Sequence, residues 1–309
     1  MSYDLHNFLK GLYTVNIFLF LAFNFLILAG CNDSNSTVDS NKEAESAPRA
    51  TVTTTESYQQ SQKPVKQACI IFVDVTRSIS DTAAFNLTLR RLSKALLQLK
   101  PGSVYIIYAL HGESGRSTIP LQDETETIPI NPMSGSRKLA KQSQEELEEK
   151  LKAYKHKLIA LYEKGRVNPK LTAYNETCIL QTLPIIEEFF SEFTSTHFQR
   201  IVIYFSDMLE DCTRTGIDMD ASNAISNMEK YINKEIKTND IFKEVRVYCV
   251  LPGSSDGNKM LPSWLDDEKL KSIWRRVFAN WGIDDINRNV RVSTNPPNSY
   301  INEHESVQK

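Results

Sequence analysis

The sequence has no surplus of positive charge. Its 36 Lys and Arg stand against 38 Asp and Glu, for a net charge of -2 and a sequence pI of about 6.3. No global basic field exists to recruit nucleic acid or an anionic membrane surface. Histidine is scarce, and His6, His111, His156, His197 and His304 are scattered without the spacing of a metal-ligand set. No nucleophile sits beside a base in a readable motif, and no Gly-rich loop leads into a Lys that could cradle a phosphate. The chain offers 309 residues, 41% hydrophobic and 24% charged. That is material for one core of about 200 residues with tails left over, not for two large domains.

The N-terminus reads as a targeting segment. Residues 12–30 are almost entirely apolar, interrupted by Thr14, Asn16 and Asn24, after a stretch whose only basic side chain is Lys10. They end in Leu28-Ala29-Gly30-Cys31, which resembles the lipobox of bacterial lipoprotein signal peptides. The resemblance implies a signal peptide over residues 1–30 and a lipid-modified Cys31 that ties the chain to a membrane. An uncleaved signal anchor is the other reading, because about 18 apolar residues also span a bilayer. Either places the remainder in a bacterial cell envelope, facing the periplasm or the exterior. Residues 31–66 are mostly Ser, Thr, Asn, Gln and Glu and cannot offset their ordering entropy by burial, so a disordered tether is expected. Its r.m.s. reach is on the order of 30 Å. Residues 296–309 read as a disordered tail.

Between tether and tail, strand and helix patterns alternate. Cys69-Ile70-Ile71-Phe72-Val73 is an apolar run that predicts a strand buried on both faces, ending at Asp74. Phe85, Leu89, Leu92, Leu96 and Leu99 recur at helical spacing and stop at Pro101-Gly102. Further apolar strands are expected at residues 104–110, 201–205, 245–251 and 290–292, with helices near 180–190, 221–237 and 265–281. Pro184 marks a kink or a late helix start. Residues 113–170 read as an insertion, a polar loop to Gly135 followed by one long helix. Leu147, Leu151, Tyr154, Leu158 and Leu161 form that helix's stripe, and Glu146–Lys150 and Glu148–Lys152 support it. It either packs flat on the domain or projects as a coiled-coil arm. The alternation predicts an α/β fold with a doubly wound, mostly parallel central sheet flanked by helices.

In such sheets ligands bind beyond the carboxyl ends of the strands, where strand order reverses. Asp74-x-Thr76-x-Ser78 follows the first strand, Asp207 follows the strand at 201–205, and Thr177 stands where a helix is expected to begin. These are hard oxygen donors without sulfur or imidazole, suited to magnesium, manganese or calcium. The set resembles the von Willebrand factor type A (vWA) domain and its metal-ion-dependent adhesion site. The likeness covers residues 67–295 outside the insertion. Thr76 stands for a Ser of that pattern, Met208 replaces the Gly that often follows the family's Asp, and Thr172 is a second candidate for the loop Thr. The resemblance implies that Thr76 and Ser78 bind the metal directly, that Asp74 and Asp207 act mostly through water, and that Thr177 joins or leaves as the site changes state. A Glu or Asp of a protein partner would fill the open position.

The resemblance further implies a binding module rather than an enzyme, and a C-terminal helix that shifts with occupancy. Residues 265–281 are the candidate, with Ser263 as cap and Asp266, Asp267 and Glu268 in the first turn. The other readings are a magnesium-dependent phosphohydrolase using Asp74 and Asp207, and a structural lipoprotein with a degenerate metal site. Cys178 and Cys212 each follow a proposed metal residue, so a bridge at the rim is one of the pairings four extracytoplasmic thiols allow. Cys69 and Cys249 fall inside strand patterns and read as buried thiols.

Overall fold

The computed structural model describes residues 66–79, 81–113, 116–122, 124–129, 137–168, 170–193, 197–218, 223–235, 237–252 and 266–293. The signal peptide, Cys31, nearly all of the tether and the tail at 296–309 lie outside these residues, as do Ser80, Ser263 and Leu265. Strand β1 (Lys66–Asp74) is the centre of the fold. From Gln67 onward every residue of it is buried, as expected of a strand covered on both faces. It pairs in parallel with β2 (Val104–Glu113) on one side and with β5 (Phe198–Phe205) on the other. Beyond β5 lie β8 (Arg246–Val250) and the edge strand β9 (Val290–Ser293), both parallel.

The polar stretch after β2 is not all loop. Strands β3 (Arg116–Pro120) and β4 (Glu126–Thr127) both pair antiparallel with β2, giving a seven-stranded sheet ordered β3-β2-β1-β5-β8-β9 with β4 off the path. Short, prolyl and polar, these segments lack the apolar period that marks a strand, and pairing with a preformed edge supplies their order. A second, two-stranded sheet joins β6 (Asp211–Cys212) to β7 (Ile217–Asp218).

Side-chain alternation divides the core in two. Cys69, Ile71 and Val73 face α1 (Thr82–Leu97) and α2 (Arg137–Val167), while Ala68, Ile70 and Phe72 face α3 (Leu183–Ser191), α4 (Ala224–Glu235) and α5 (Asp267–Trp281). Asp81 caps α1 by accepting from the Ala83 N–H at 2.8 Å. Pro184 stands in the first turn of α3 and marks its late start. The inserted helix α2 lies flat: Leu147, Leu151, Tyr154, Leu158 and Tyr162 are buried, and the Tyr162 ring stacks on Phe85 at 4.0 Å. Leu161, expected on that stripe, is half-buried and yields to Tyr162, because a straight helix drifts from strict heptad spacing. The expected Glu146–Lys150 pair does not form. Lys150 instead reaches Glu126 on β4 at 2.6 Å, and Lys152 pairs with Glu149 rather than Glu148.

Helix α5 begins two residues later than expected. Its cap is Asp266, which accepts from the Lys269 N–H at 2.8 Å, so Asp266 is not a first-turn residue and Ser263 is not the cap. After α5 come α6 (Ile286–Asn289) and then β9, the last strand expected near residues 290–292, which completes the sheet edge. Leu270, Trp274, Val277 and Phe278 are fully buried along it. Among the described residues no helix is long and apolar enough to cross a membrane.

Candidate functional site

Strand order reverses between β1 and β5, because the chain leaves β1 for β2 on one side and later returns on the other. Their carboxyl ends lie side by side with Val73 opposite Phe205, so Asp74 and Ser206 emerge together. Asp74 is fully buried. Its Oδ1 accepts from the Thr76 N–H at 2.8 Å and the Thr76 hydroxyl at 2.7 Å, and its Oδ2 accepts from the Ser206 hydroxyl at 2.8 Å. The Thr76 oxygen is also 2.8 Å from Ser78 Oγ and 2.9 Å from Thr177 Oγ1. Thr177 further donates to Asp74 Oδ2 at 3.5 Å. Asp207, half-buried, accepts the Leu209 N–H at 3.1 Å, and the nearby Ser78 and Ser206 hydroxyls favour its ionised form.

All of the expected residues, Asp74, Thr76, Ser78, Thr177 and Asp207, thus meet at one point. The reason for choosing Thr177 needs correction. It does not open a helix but forms an isolated bridge with Asp211, and helical turns resume only at Leu180. Thr172 lies in the preceding 3-10 turn, Thr172–Asn175. Ser206 is the member that motif reading passed over. The signal was available in its adjacency to Asp207 at the end of a strand neighbouring β1.

Electrostatics set this cluster apart from ordinary turn chemistry. Burial, and then the Asp74 carboxylate, push Asp207 up to about 7. Burial likewise raises Asp74, against hydrogen bonds from Thr76, Ser206 and Thr177 that pull it down. Among the described residues, the largest influences on both acids are burial, the neighbouring acid and hydroxyl or backbone donors, rather than a basic side chain. Two adjoining carboxylates cannot both ionise cheaply without a nearby positive charge, and the residues present, carboxylates and hydroxyls, are donors of the kind a hard divalent ion takes.

The rim is stitched to the site. Cys178 and Cys212 form a disulfide, and the Thr177 carbonyl accepts from the Asp211 N–H at 3.0 Å. Buried Glu210 accepts the Ile179 and Leu180 N–H groups at 2.7 and 3.0 Å and the Thr215 hydroxyl at 3.1 Å, while burial raises it to about 8. Glu176 lies close to both sulfurs, but the disulfide leaves no thiolate for a metal. Cys69 and Cys249 are buried free thiols, as expected from their strands.

No family model matches the chain, and no curated protein matches it. Solved structures do. The chain is similar to proximal thread matrix protein 1 from the mussel byssus, at 12% identity and a TM-score of 0.36 over 76% of this chain and 44% of that one. It is similar to a von Willebrand factor type A protein from Catenulispora acidiphila, at 12% identity and 0.36 over 78% and 42%. The VWA2 paralog of ArnB from Sulfolobus acidocaldarius gives 12% and 0.34 over 72% and 43%. The chain spans less than half the length of each of these structures.

Arg77, between the two hydroxyl residues, ties the site to the inserted helix. Its guanidinium donates to the Gly165 carbonyl at 2.6 and 2.8 Å, to the Asn168 carbonyl at 2.8 Å and to Asn175 Oδ1 at 2.7 Å. Its backbone N–H donates to the Tyr174 carbonyl at 2.9 Å. The carboxyl end of α2 is a row of unsatisfied carbonyls, and a cation there is favourable. The loop that bears Thr76 and Ser78 is therefore braced from outside the strand.

Proposed function

We propose that this domain binds a protein partner through a divalent cation, magnesium or else manganese or calcium, at the cluster of Asp74, Thr76, Ser78, Thr177 and Asp207. The hydroxyls of Thr76, Ser78 and Thr177 would hold the ion, with Asp74 and Asp207 balancing its charge. Neutral hydroxyl ligands leave the ion electrophilic, and its chemistry is to accept a carboxylate oxygen from a Glu or Asp of the partner. The lipid on Cys31 would tether the domain outside the cytoplasm, at the membrane of a bacterial cell envelope.

One observation carries this reading: buried Asp74 and half-buried Asp207 adjoin one another and meet the hydroxyls at the strand-order reversal, and among the described residues no basic side chain is a leading influence on either acid. The site favours binding over phosphoryl transfer because both oxygens of Asp74 are engaged by Thr76, Ser206 and Thr177, leaving it poorly placed to attack phosphorus. Calorimetric titration of Mg2+ and Mn2+ into the wild-type protein and its Asp74→Ala and Thr177→Ala variants tests the site. Saturable binding weakened by both substitutions is expected, and magnesium-dependent hydrolysis of a phosphate monoester would overturn the non-catalytic reading. Capture of partners with and without chelator then tests the carboxylate contact.

A further inference from the structure

Met208, directly after Asp207, is a non-glycine residue in the left-handed region, with φ of 62°. For an L-residue that conformation costs about 1–2 kcal/mol, so something must hold it. Both of its backbone polar groups are used to do so. Its N–H donates to Ser206 Oγ at 3.0 Å, and Ser206 in turn donates to Asp74 Oδ2 at 2.8 Å. Its carbonyl accepts from Trp274 Nε1 at 2.8 Å. Trp274 is fully buried on α5 among Leu270, Val277 and Phe278, so its ring is fixed by the core rather than by the loop. An indole has one donor, and here that donor is aimed at the residue beside a metal-site carboxylate.

We infer that Trp274 is a positioning residue for the oxygen cluster, acting through the Met208 carbonyl to hold Asp207 and Ser206 against Asp74. This rests on the metal-binding reading above. The physical requirement is plain: within this loop the Asp207 carboxylate accepts the Leu209 N–H, so the course of the backbone through Met208 sets where that carboxylate lies. A Gly at position 208 would reach the left-handed conformation without cost and would need no clamp. With Met there, the clamp and the strained residue form one unit, and the core contact of a helix sets the geometry of the site.

The test measures Mn2+ affinity by electron paramagnetic resonance and Mg2+ affinity by calorimetry on the full chain in detergent. Trp274→Phe keeps a buried ring but removes the N–H, and about fivefold to tenfold weaker binding is expected from the loss of one buried hydrogen bond. Adding Met208→Gly to that variant is expected to restore most of the affinity while lowering thermal stability further, because it relaxes the loop but empties a core position. A merely structural tryptophan would give no such rescue. Unchanged affinity in Trp274→Phe, or no recovery in the double variant, overturns the inference while leaving metal binding standing. A wild-type chain that binds neither metal overturns the functional reading and this one with it. Should Trp274→Phe fail to fold, the indole N–H resonances of wild type are followed instead, assigned with Trp264→Phe and Trp281→Phe. Mg2+ is expected to shift the Trp274 signal, and an unmoved signal overturns the inference.

Discussion

Magnesium should stabilise this protein more at alkaline than at acid pH, and the size of the difference follows from Asp207. Its carboxyl rises from an ordinary 3.8 to about 7 in the folded chain, mainly through burial and then through the Asp74 charge. Between those values the metal-free folded state holds a proton that the unfolded chain releases. The stability this group contributes is therefore complete below about pH 4 and is lost as pH rises through about 7. A bound cation keeps both carboxylates ionised and removes the loss. About three pH units correspond to about 4 kcal/mol, but Asp207 keeps part of its surface in water, and on the order of 2 kcal/mol is the realistic share. For a fold of this size that is roughly 4–8 °C in melting temperature. The assay is thermal unfolding with saturating Mg2+ or with EDTA, at about pH 5.5 and about pH 8 and matched ionic strength, because bulk salt also screens the two acids. A magnesium increment that is equal at both pH values, or larger at the lower one, would refute the carboxylate pair as the metal's counter-charge.

The same reasoning makes Asp207→Asn a separating variant. The amide keeps the acceptor for the Leu209 N–H, so the metal-free protein should gain about 1 kcal/mol near pH 8 while its magnesium increment disappears, both read from the same melts. Cys178→Ser with Cys212→Ser opens a crosslink of sequence separation 34, for which loop entropy gives about 3–4 kcal/mol. Denaturant unfolding should record that loss, and metal affinity should fall with it because Thr177 is the residue before Cys178. Gly112→Ala should act from the opposite side. Its new Cβ would stand 2.3 Å from Glu176 Cβ and 2.9 Å from the Glu176 carbonyl, so the Thr177 segment must shift, lowering Mg2+ affinity by calorimetry. Arg77→Ala leaves the Gly165 and Asn168 carbonyls without their guanidinium and should cost about 1–3 kcal/mol, seen as faster amide exchange at the carboxyl end of α2.

How much of this was legible beforehand depended on the range of the interaction. The buried central strands announce themselves, because burial on both faces demands an unbroken apolar run, and β1 meets that demand from Ala68 to Val73. The acids at their ends were legible for the same reason: a carboxylate straight after such a run lies at the sheet's carboxyl edge, where ligands bind. Elements that borrow their order from a neighbour were not. Strands β3 and β4 owe their extended form to the free edge of β2, and the short hairpin of β6 and β7 is anchored by the Cys178–Cys212 crosslink and Glu210.

Thr177 shows the distinction within a single residue. An expected helix start favours it over Thr172, and that start does not exist, yet its hydroxyl does lie beside Thr76. What brings its hydroxyl to Thr76 Oγ1, at 2.9 Å, is a set of contacts with the segment after β5: a backbone bridge to Asp211, the disulfide next door and the Glu210 carboxylate. Each joins residues roughly thirty positions apart, beyond the reach of any local period. Trp274 and Met208 are separated by 66 positions, and nothing in a helix written as an apolar stripe distinguishes the one tryptophan whose N–H leaves the core for the site. The donor set is therefore a local signature, whereas the arrangement that turns donors into a site is made by partners the chain meets only after it folds.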